Sequence, residues 1–337
     1  MTTTNREKQQ KHYDYKLIRE KALRGPRITS LLQRFEKIAS GEEQKPKLPV
    51  IAAQVFLDRD GEYKKYHQIL QRNMGTFAKH GLASIPFMLE EVIRIGVALH
   101  RFAEENRFSS SEPLTFYETS SADGTIGRSL AEYSNGLIKT LTDSPNESNR
   151  LEFNRLLTHN YSYFHKGPFV DITPQYLSQA YGHIFKGGFD IIWENTTFQM
   201  YGNNRDEQIA YVSRLLKEDG LMIFHEKMNH FKVDEYKRLE KLKDDKFKSQ
   251  YFNENELKLK KLNILSEMEA GQVTLSEFRQ ALKTHFKYAY IIWNSCNFYE
   301  IVASNNKKII ESFISYLPAP YVLDDFIINT PIVCKFL

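Results

Sequence analysis

The sequence predicts an α/β protein: a mostly parallel sheet covered by helices, preceded by a helical region and interrupted by inserted helices. Three observations predict it. From Leu114 to about His225, short β-prone apolar runs alternate with segments of helical spacing, the pattern of strands joined by crossover helices. The first run, Leu114–Thr119, breaks into small residues and then turns helical, which is how such sheets bring backbone N–H groups to a nucleotide-like ligand. Near the end, Phe286–Trp293 and Phe298–Ser304 are joined by a link too short for a crossover helix, so they should pair antiparallel.

The segment before the first strand reads as helical. Residues 1–15 are polar and expected to be a disordered tail. Residues 16–110 form the N-terminal helical region. Within it, residues 16–39 carry apolar side chains at helical spacing, broken at Gly25-Pro26, and Ser40 to Pro49 reads as a linker. A helix follows from about Asp60 to Lys79, and a third from Ile85 to Asn106, where Leu89, Val92, Ile93, Val97, Leu99 and Phe102 make a wide apolar stripe.

Residues 111–337 form the sheet domain. Strand one, Leu114–Thr119, feeds a helix over Thr125–Ser134. Strand two, Leu137–Thr142, is followed by Asp143-Ser144-Pro145-Asn146 and a helix through Leu157. Tyr161–His165 is a short third strand, and Pro174–Phe185 is helical. Strand four is Phe189–Glu194, with a helix over Arg205–Lys217 and strand five at Leu221–His225. Residues 229–280 are rich in Lys, Glu, Asp and Leu without strand signal. They read as inserted helices with a solvated surface, or as a lid over a binding site.

Bulk properties narrow the function. A composition of 41% hydrophobic and 26% charged residues excludes wholesale disorder. No apolar run is long enough to span a bilayer, and the polar start lacks a hydrophobic signal core, so no membrane association and a cytoplasmic location are expected. Cys296 and Cys334, the two cysteines, lack paired spacing and read as reduced thiols. Residues 1–50 carry twelve Lys/Arg against six Asp/Glu, within a net charge of +4 for the whole chain, so the sheet domain is not a basic nucleic-acid binder. There is no His-Glu-x-x-His pattern, no Gly-x-Ser-x-Gly elbow and no Walker-type loop, so no metal is expected.

Five ordered segments carry a family resemblance. Glu118-Thr119-Ser120-Ser121-Ala122-Asp123-Gly124 is similar to an E-x-G-x-G-x-G loop, with Ser120 and Ala122 in place of glycine. Asp143-Ser144-Pro145 lies at the end of strand two, with Asp143 nineteen residues beyond Gly124, the distance of a ribose-binding carboxylate. Asp171 follows strand three. Phe189-Asp190-Ile191-Ile192-Trp193-Glu194-Asn195 resembles an FDvi strand, and Leu215 to Ile223 resembles an LLkpgG turn into strand five. Over about residues 110–305 the chain resembles the class I S-adenosylmethionine-dependent methyltransferases of small-molecule type.

The resemblance implies a Rossmann-like seven-stranded, mostly parallel sheet with an antiparallel last strand, and S-adenosyl-L-methionine as cofactor. It places Glu118, Ser120, Ala122, Gly124 and Thr125 around the methionyl end, and Asp143 and Ser144 at the ribose. Asp171 and Ile172 fall near the adenine, and Glu194 and Asn195 beside the methionine. Trp193, Phe198, Gln199 and Tyr201 would line the acceptor pocket, and His225 is the candidate base, with Glu194, Asn195, Gln199 and Glu226 at neighbouring strand ends. The expected acceptor is a small molecule of natural-product type rather than nucleic acid, because strand four ends in Glu194-Asn195-Thr196-Thr197-Phe198 and not in Asn/Asp-Pro-Pro-Tyr/Phe. Two alternatives stay open: an RNA methyltransferase that uses the basic arm, and a methyltransferase-like binding module without catalysis. A homodimer through the N-terminal helices is a further expectation.

Overall fold

The computed structural model describes residues 12–107, 112–119 and 122–337; residues 1–11 of the expected tail, and Ser120 of the expected cofactor loop, lie outside them. The strands are β1 (Leu114–Thr119), β2 (Ile138–Ser144), β3 (Ser162–Lys166), β4 (Phe189–Asn195), β5 (Leu216–Lys227), β6 (Tyr288–Ser295), β7 (Phe298–Ser304) and β8 (Cys334–Lys335). They form one sheet in the order β3-β2-β1-β4-β5-β7-β6-β8. β1 to β5 are parallel, and β7 runs antiparallel between β5 and β6. The expected hairpin forms, but its second strand is the one inserted against β5. The strand order reverses at β1, between β2 and β4, which puts the ligand-binding switch point of an open α/β sheet at the carboxyl ends of β1 and β4.

Six helices precede β1: α1 (Tyr15–Ala22), α2 (Leu32–Ser40), α3 (Gln54–Leu57), α4 (Gly61–Asn73), α5 (Thr76–Leu82) and α6 (Met88–Arg107). The crossovers are α7 (Thr125–Tyr133), α8 (Glu147–Leu156), α9 (Pro174–Ala180) and α10 (Arg205–Ser213). The insertion holds α11 (Val233–Lys246), α12 (Glu254–Lys260), α13 (Ser266–Glu269) and α14 (Leu275–His285), and α15 (Lys307–Ser315) follows β7.

Alternate strand residues feed two cores, one on each face. Phe116, Ile191, Trp193, Leu221 and Ile223 face α4, α6 and α15, whereas Tyr117, Ile192, Met222 and Phe224 face α1, α2, α10 and α14. Both faces are covered, so these strands read as continuous apolar runs. Each such buried side chain contributes about 1.5–3 kcal/mol. The N-terminal helices are thus part of the sheet's covering layers.

Three expected boundaries shift. The helix expected over Asp60–Lys79 breaks at Gly75, where a Cβ would lie 2.4 Å from the Asp123 carboxyl. Asp123 Oδ2 there accepts from the Ala78 N–H at 3.0 Å, and Gly75 N–H donates to Thr125 Oγ1 at 3.0 Å. The helix expected through Lys217 ends at Ser213, because Leu215 O accepts from Phe189 N at 2.8 Å and Leu216 already pairs in the sheet. An eighth strand, the two-residue β8, pairs with β6 at Tyr290 and Ile291 where seven strands were expected.

Candidate active site

Acidic residues end several strands at the carboxyl edge, and their surroundings separate them. Glu194 turns back to accept from the Thr197 and Phe198 N–H groups, and Glu226 takes the Arg205 guanidinium at 2.7 Å and 3.1 Å. Both are buried in the structure beneath the edge. Glu118 instead faces a cavity of about 90 Å³, lined also by Ala122, Thr125, Asn195 and Thr196 and roofed by α5 and α6. Its Oε1 accepts from Asn195 Nδ2 at 3.3 Å. Its Oε2 is buried and has no hydrogen-bond partner among the described residues. Burial pushes the Glu118 carboxyl up to about 7.

The loop beyond β1 is held by its own polar groups. Gly124 caps α7 at φ 74°, and a Cβ there would meet the Phe153 ring at 2.6 Å, so two independent constraints require glycine. Thr125 Oγ1 donates to Asp123 Oδ1 at 2.6 Å, as part of the tie to Gly75. Asp143 ends β2 with Tyr117 Oη donating to its Oδ1 at 2.8 Å, and Ser144 Oγ accepts from Asn146 N–H and Asn149 Nδ2. Asp171 pairs with Arg19 at 2.5 Å on α1, and Ile172 is fully buried in the core. Sequence reasoning missed Arg27, which is wholly buried, stacks over Phe35 at 4.8 Å and donates to Asn146 Oδ1. Its Nε and Nη1 have no hydrogen-bond partner among the described residues.

A second cavity, of about 110 Å³, adjoins the first and shares Phe77, Gly81, Ile85 and Thr196 with it. Of the expected acceptor residues, Gln199 lines this cavity, together with its neighbour Met200. Trp193 and Phe198 do not, which corrects the expectation: Trp193 packs edge-on to Phe116 within one core, and Phe198 lies against Phe169 in the other. Tyr201 likewise packs on Phe169, with ring centroids 4.9 Å apart. The period-two alternation of β4 turns Trp193 into the helical layer, so an aromatic at a strand end is core here. Thr196, at the junction, has φ 52°, a strained conformation for a β-branched residue.

His225 is also corrected. It is fully buried between β5 and β7, with Nδ1 2.6 Å from Glu300 Oε2 and its ring stacked on Phe298. Burial drives it down to about 3, and it lines neither cavity. A neutral, enclosed imidazole is part of the sheet's interior rather than a base at the edge.

Sequence reasoning missed the floor of the second cavity, where Lys227, Lys243, Lys248 and Lys260 converge. Three of them belong to the segment that reads as a solvated helical surface. The signal was the α11 face Tyr236, Leu239, Glu240 and Lys243, which is buried at helical spacing with two charges on it. Among the described residues no group of three His, Cys, Asp or Glu is placed to hold a metal ion, and no helix is long and apolar enough to cross a membrane. Both cysteines are free thiols.

Five parallel strands, an antiparallel β7 beside β5 and helices on both faces of the sheet define a Rossmann-like α/β fold. Among solved structures, the chain is similar to the plantazolicin methyltransferase BpumL in complex with a monoazolic desmethylPZN analog and SAH, at TM-score 0.47 and 11% identity over 87% of this chain and 98% of that one. It is similar to the mycolic acid cyclopropane synthase CmaA1 complexed with SAH and CTAB, at TM-score 0.40 and 11% identity over 70% of this chain and 76% of that one. A putative S-adenosylmethionine dependent methyltransferase from Listeria monocytogenes is similar at TM-score 0.38 and 14% identity, over 62% of this chain and 98% of that one. No family model and no curated protein matches the chain.

Proposed function

We propose that this protein transfers a methyl group from S-adenosyl-L-methionine to a small-molecule acceptor. The observation that carries the reading is Glu118: a buried carboxyl with one oxygen unpartnered among the described residues, in a cavity wall at the switch point of the sheet. A ligand that presents an ammonium group satisfies such a carboxylate. The residues present fit the cofactor in this respect, with Glu118 and Asn195 at its amino-acid end and Asp143 at the ribose. Bound, the cofactor supplies an activated methyl on a sulfonium. The chain's own residues position the two reactants and exclude water, as the apolar walls from α5 and α6 do here. The second cavity, which adjoins the first at Thr196, is the acceptor site.

The RNA reading draws less support from charge. Part of the basic arm engages the chain's own groups: Arg19 pairs with Asp171 and Lys21 with Glu207. The N-terminal helices likewise bury Ile18, Ala22, Phe35 and Ile38 against the chain's own sheet layer, which accounts for their apolar face without a second copy.

Calorimetric titration with S-adenosylmethionine and S-adenosylhomocysteine tests the proposal. Both should bind the wild type, and Asp143→Ala should weaken binding at least about tenfold through the lost charged hydrogen bonds. Absence of heat and of any thermal shift with either ligand overturns it.

A further inference from the structure

The second cavity combines an apolar wall with a cluster of lysines. Phe35, Phe77, Ile264 and Met268 supply apolar surface, and Lys227, Lys243, Lys248 and Lys260 line the same cavity. All four lysines are buried, at 3%, 1%, 3% and 5% exposure, so water does not solvate their ammonium groups. They come from the end of β5, from α11, from the turn Lys248–Gln250 and from the end of α12. The insertion is therefore what assembles them.

Their internal partners fall short of their charge. Glu240 Oε1 takes both Lys227, at 2.9 Å, and Lys243, at 2.7 Å. Asp244 takes Lys248 at 2.7 Å. Lys260 has no carboxylate among the described residues; it donates to Ser84 Oγ at 2.5 Å and to His80 Nε2 at 2.9 Å. Ser84 gives its own proton to the His80 carbonyl, and His80 Nδ1 lies 3.0 Å from the Gln44 carbonyl. That carbonyl fixes the proton on Nδ1 and leaves Nε2 as an acceptor, so His80 is neutral and adds no balancing charge. Two carboxylates thus face four lysine side chains. Burial answers such an imbalance by holding amines neutral, and an anion that enters the cavity restores their charge.

We propose that the acceptor is an anionic amphiphile, whose phosphate or carboxylate sits among Lys227, Lys243, Lys248 and Lys260 and whose apolar body runs along the cavity towards Thr196. This rests on the reading of that cavity as the acceptor site. The group to be methylated then lies at Thr196, which this cavity shares with the one that Glu118 lines. Compact ammonium groups bind a phosphate or carboxylate as point charges, and no arginine fork lines the cavity. Burial holds Lys243 down to about 7 and Lys260 well below its ordinary value, and the lysines depress one another. An anion reverses both effects.

Titrations with n-hexyl phosphate, n-hexanoate and n-hexanol, each without cofactor, test the inference on the full-length protein. The anions should bind, the alcohol should not, and Lys260→Met and Lys243→Met should each weaken anion binding about tenfold. Lys260→Met should also raise the melting temperature, because methionine removes a buried amine that has no salt-bridge partner among the described residues and keeps its volume. Tighter binding of the phosphate names a phosphate ester as the acceptor class; tighter binding of hexanoate names a carboxylic acid. Equal binding of the alcohol, or anion binding unchanged in both variants, overturns the inference. Parallel titration with S-adenosylhomocysteine separates the two readings. Cofactor binding without anion binding removes the anion site alone, and anion binding without cofactor binding keeps the site while overturning methyl transfer.

Discussion

Asn195 Nδ2 donates to Glu118 Oε1 at 3.3 Å, joining the end of β4 to the end of β1 and leaving Glu118 Oε2 buried and, among the described residues, unpartnered. With its carboxyl pushed up to about 7, Glu118 is protonated in the unliganded protein at pH 6 and ionised at pH 8. A ligand whose ammonium group needs the carboxylate then binds more weakly as pH falls below about 7, by roughly tenfold per unit, and releases a proton on binding. Calorimetry in buffers of different ionisation enthalpy should detect that proton, and Glu118→Gln should flatten the pH dependence. The unfolded chain ionises this group near 4.5, so the folded state holds the extra proton and loses stability as pH rises from 4.5 through 7. At pH 8 Glu118→Gln should be more stable than wild type by about 3 kcal/mol, with no gain at pH 4.

His225 should affect stability and leave the rate profile alone. Its folded value of about 3 lies below the unfolded 6.5, so the unfolded state takes up the proton first and stability falls as pH drops from 6.5 towards 3. His225→Ala should cost roughly 2–3 kcal/mol through a cavity and a stranded Glu300. On an identified acceptor, any pH inflection between 5 and 8 should persist in the variant; its disappearance would restore His225 as a base.

Gly75→Ala drives a Cβ to within 2.4 Å of the Asp123 carboxyl. Asp123 anchors both Ala78 N–H and Thr125, so the clash separates α5 from the loop after β1. Denaturant unfolding should show a loss of about 2 kcal/mol, and S-adenosylhomocysteine should bind more weakly than the stability loss alone explains. Unchanged binding would mean that the loop does not depend on α5.

Thr196→Gly relieves a left-handed β-branched residue at the junction of the cavities. Removing strain of this kind is worth about 1 kcal/mol, partly offset by glycine's greater unfolded entropy. The variant should be as stable as wild type or more so, with slower turnover from a less defined junction. A clear loss of stability would show that the Thr196 side chain packs more than it strains.

Much of the fold was legible because strands and crossovers write themselves locally. Phe189–Asn195 and Leu221–His225 are apolar runs bounded by turns, and Glu118 and Asp143 end their strands where an open sheet binds ligands. What failed was local information about direction. Trp193 and Phe198 look like pocket aromatics, yet the pleat and the turn after β4 send them into cores. His225 sits at a strand end but is covered by β7, whose position next to β5 no local pattern announces. The lysines were hidden for a related reason. Lys243 and Lys260 lie in a run whose composition is that of a surface, and only the packing of α11 and α12 over β5 shows that they point inward. Gly75 read as a residue within a helix until Asp123, distant in sequence, came into place beside it.

Helix α5 gives the two cavities a common wall at Phe77 and Gly81, and its first turn is tethered to the loop after β1 by Asp123. A ligand in either cavity packs against a wall that belongs to both. Whatever free energy one ligand lends the other must be returned in equal measure.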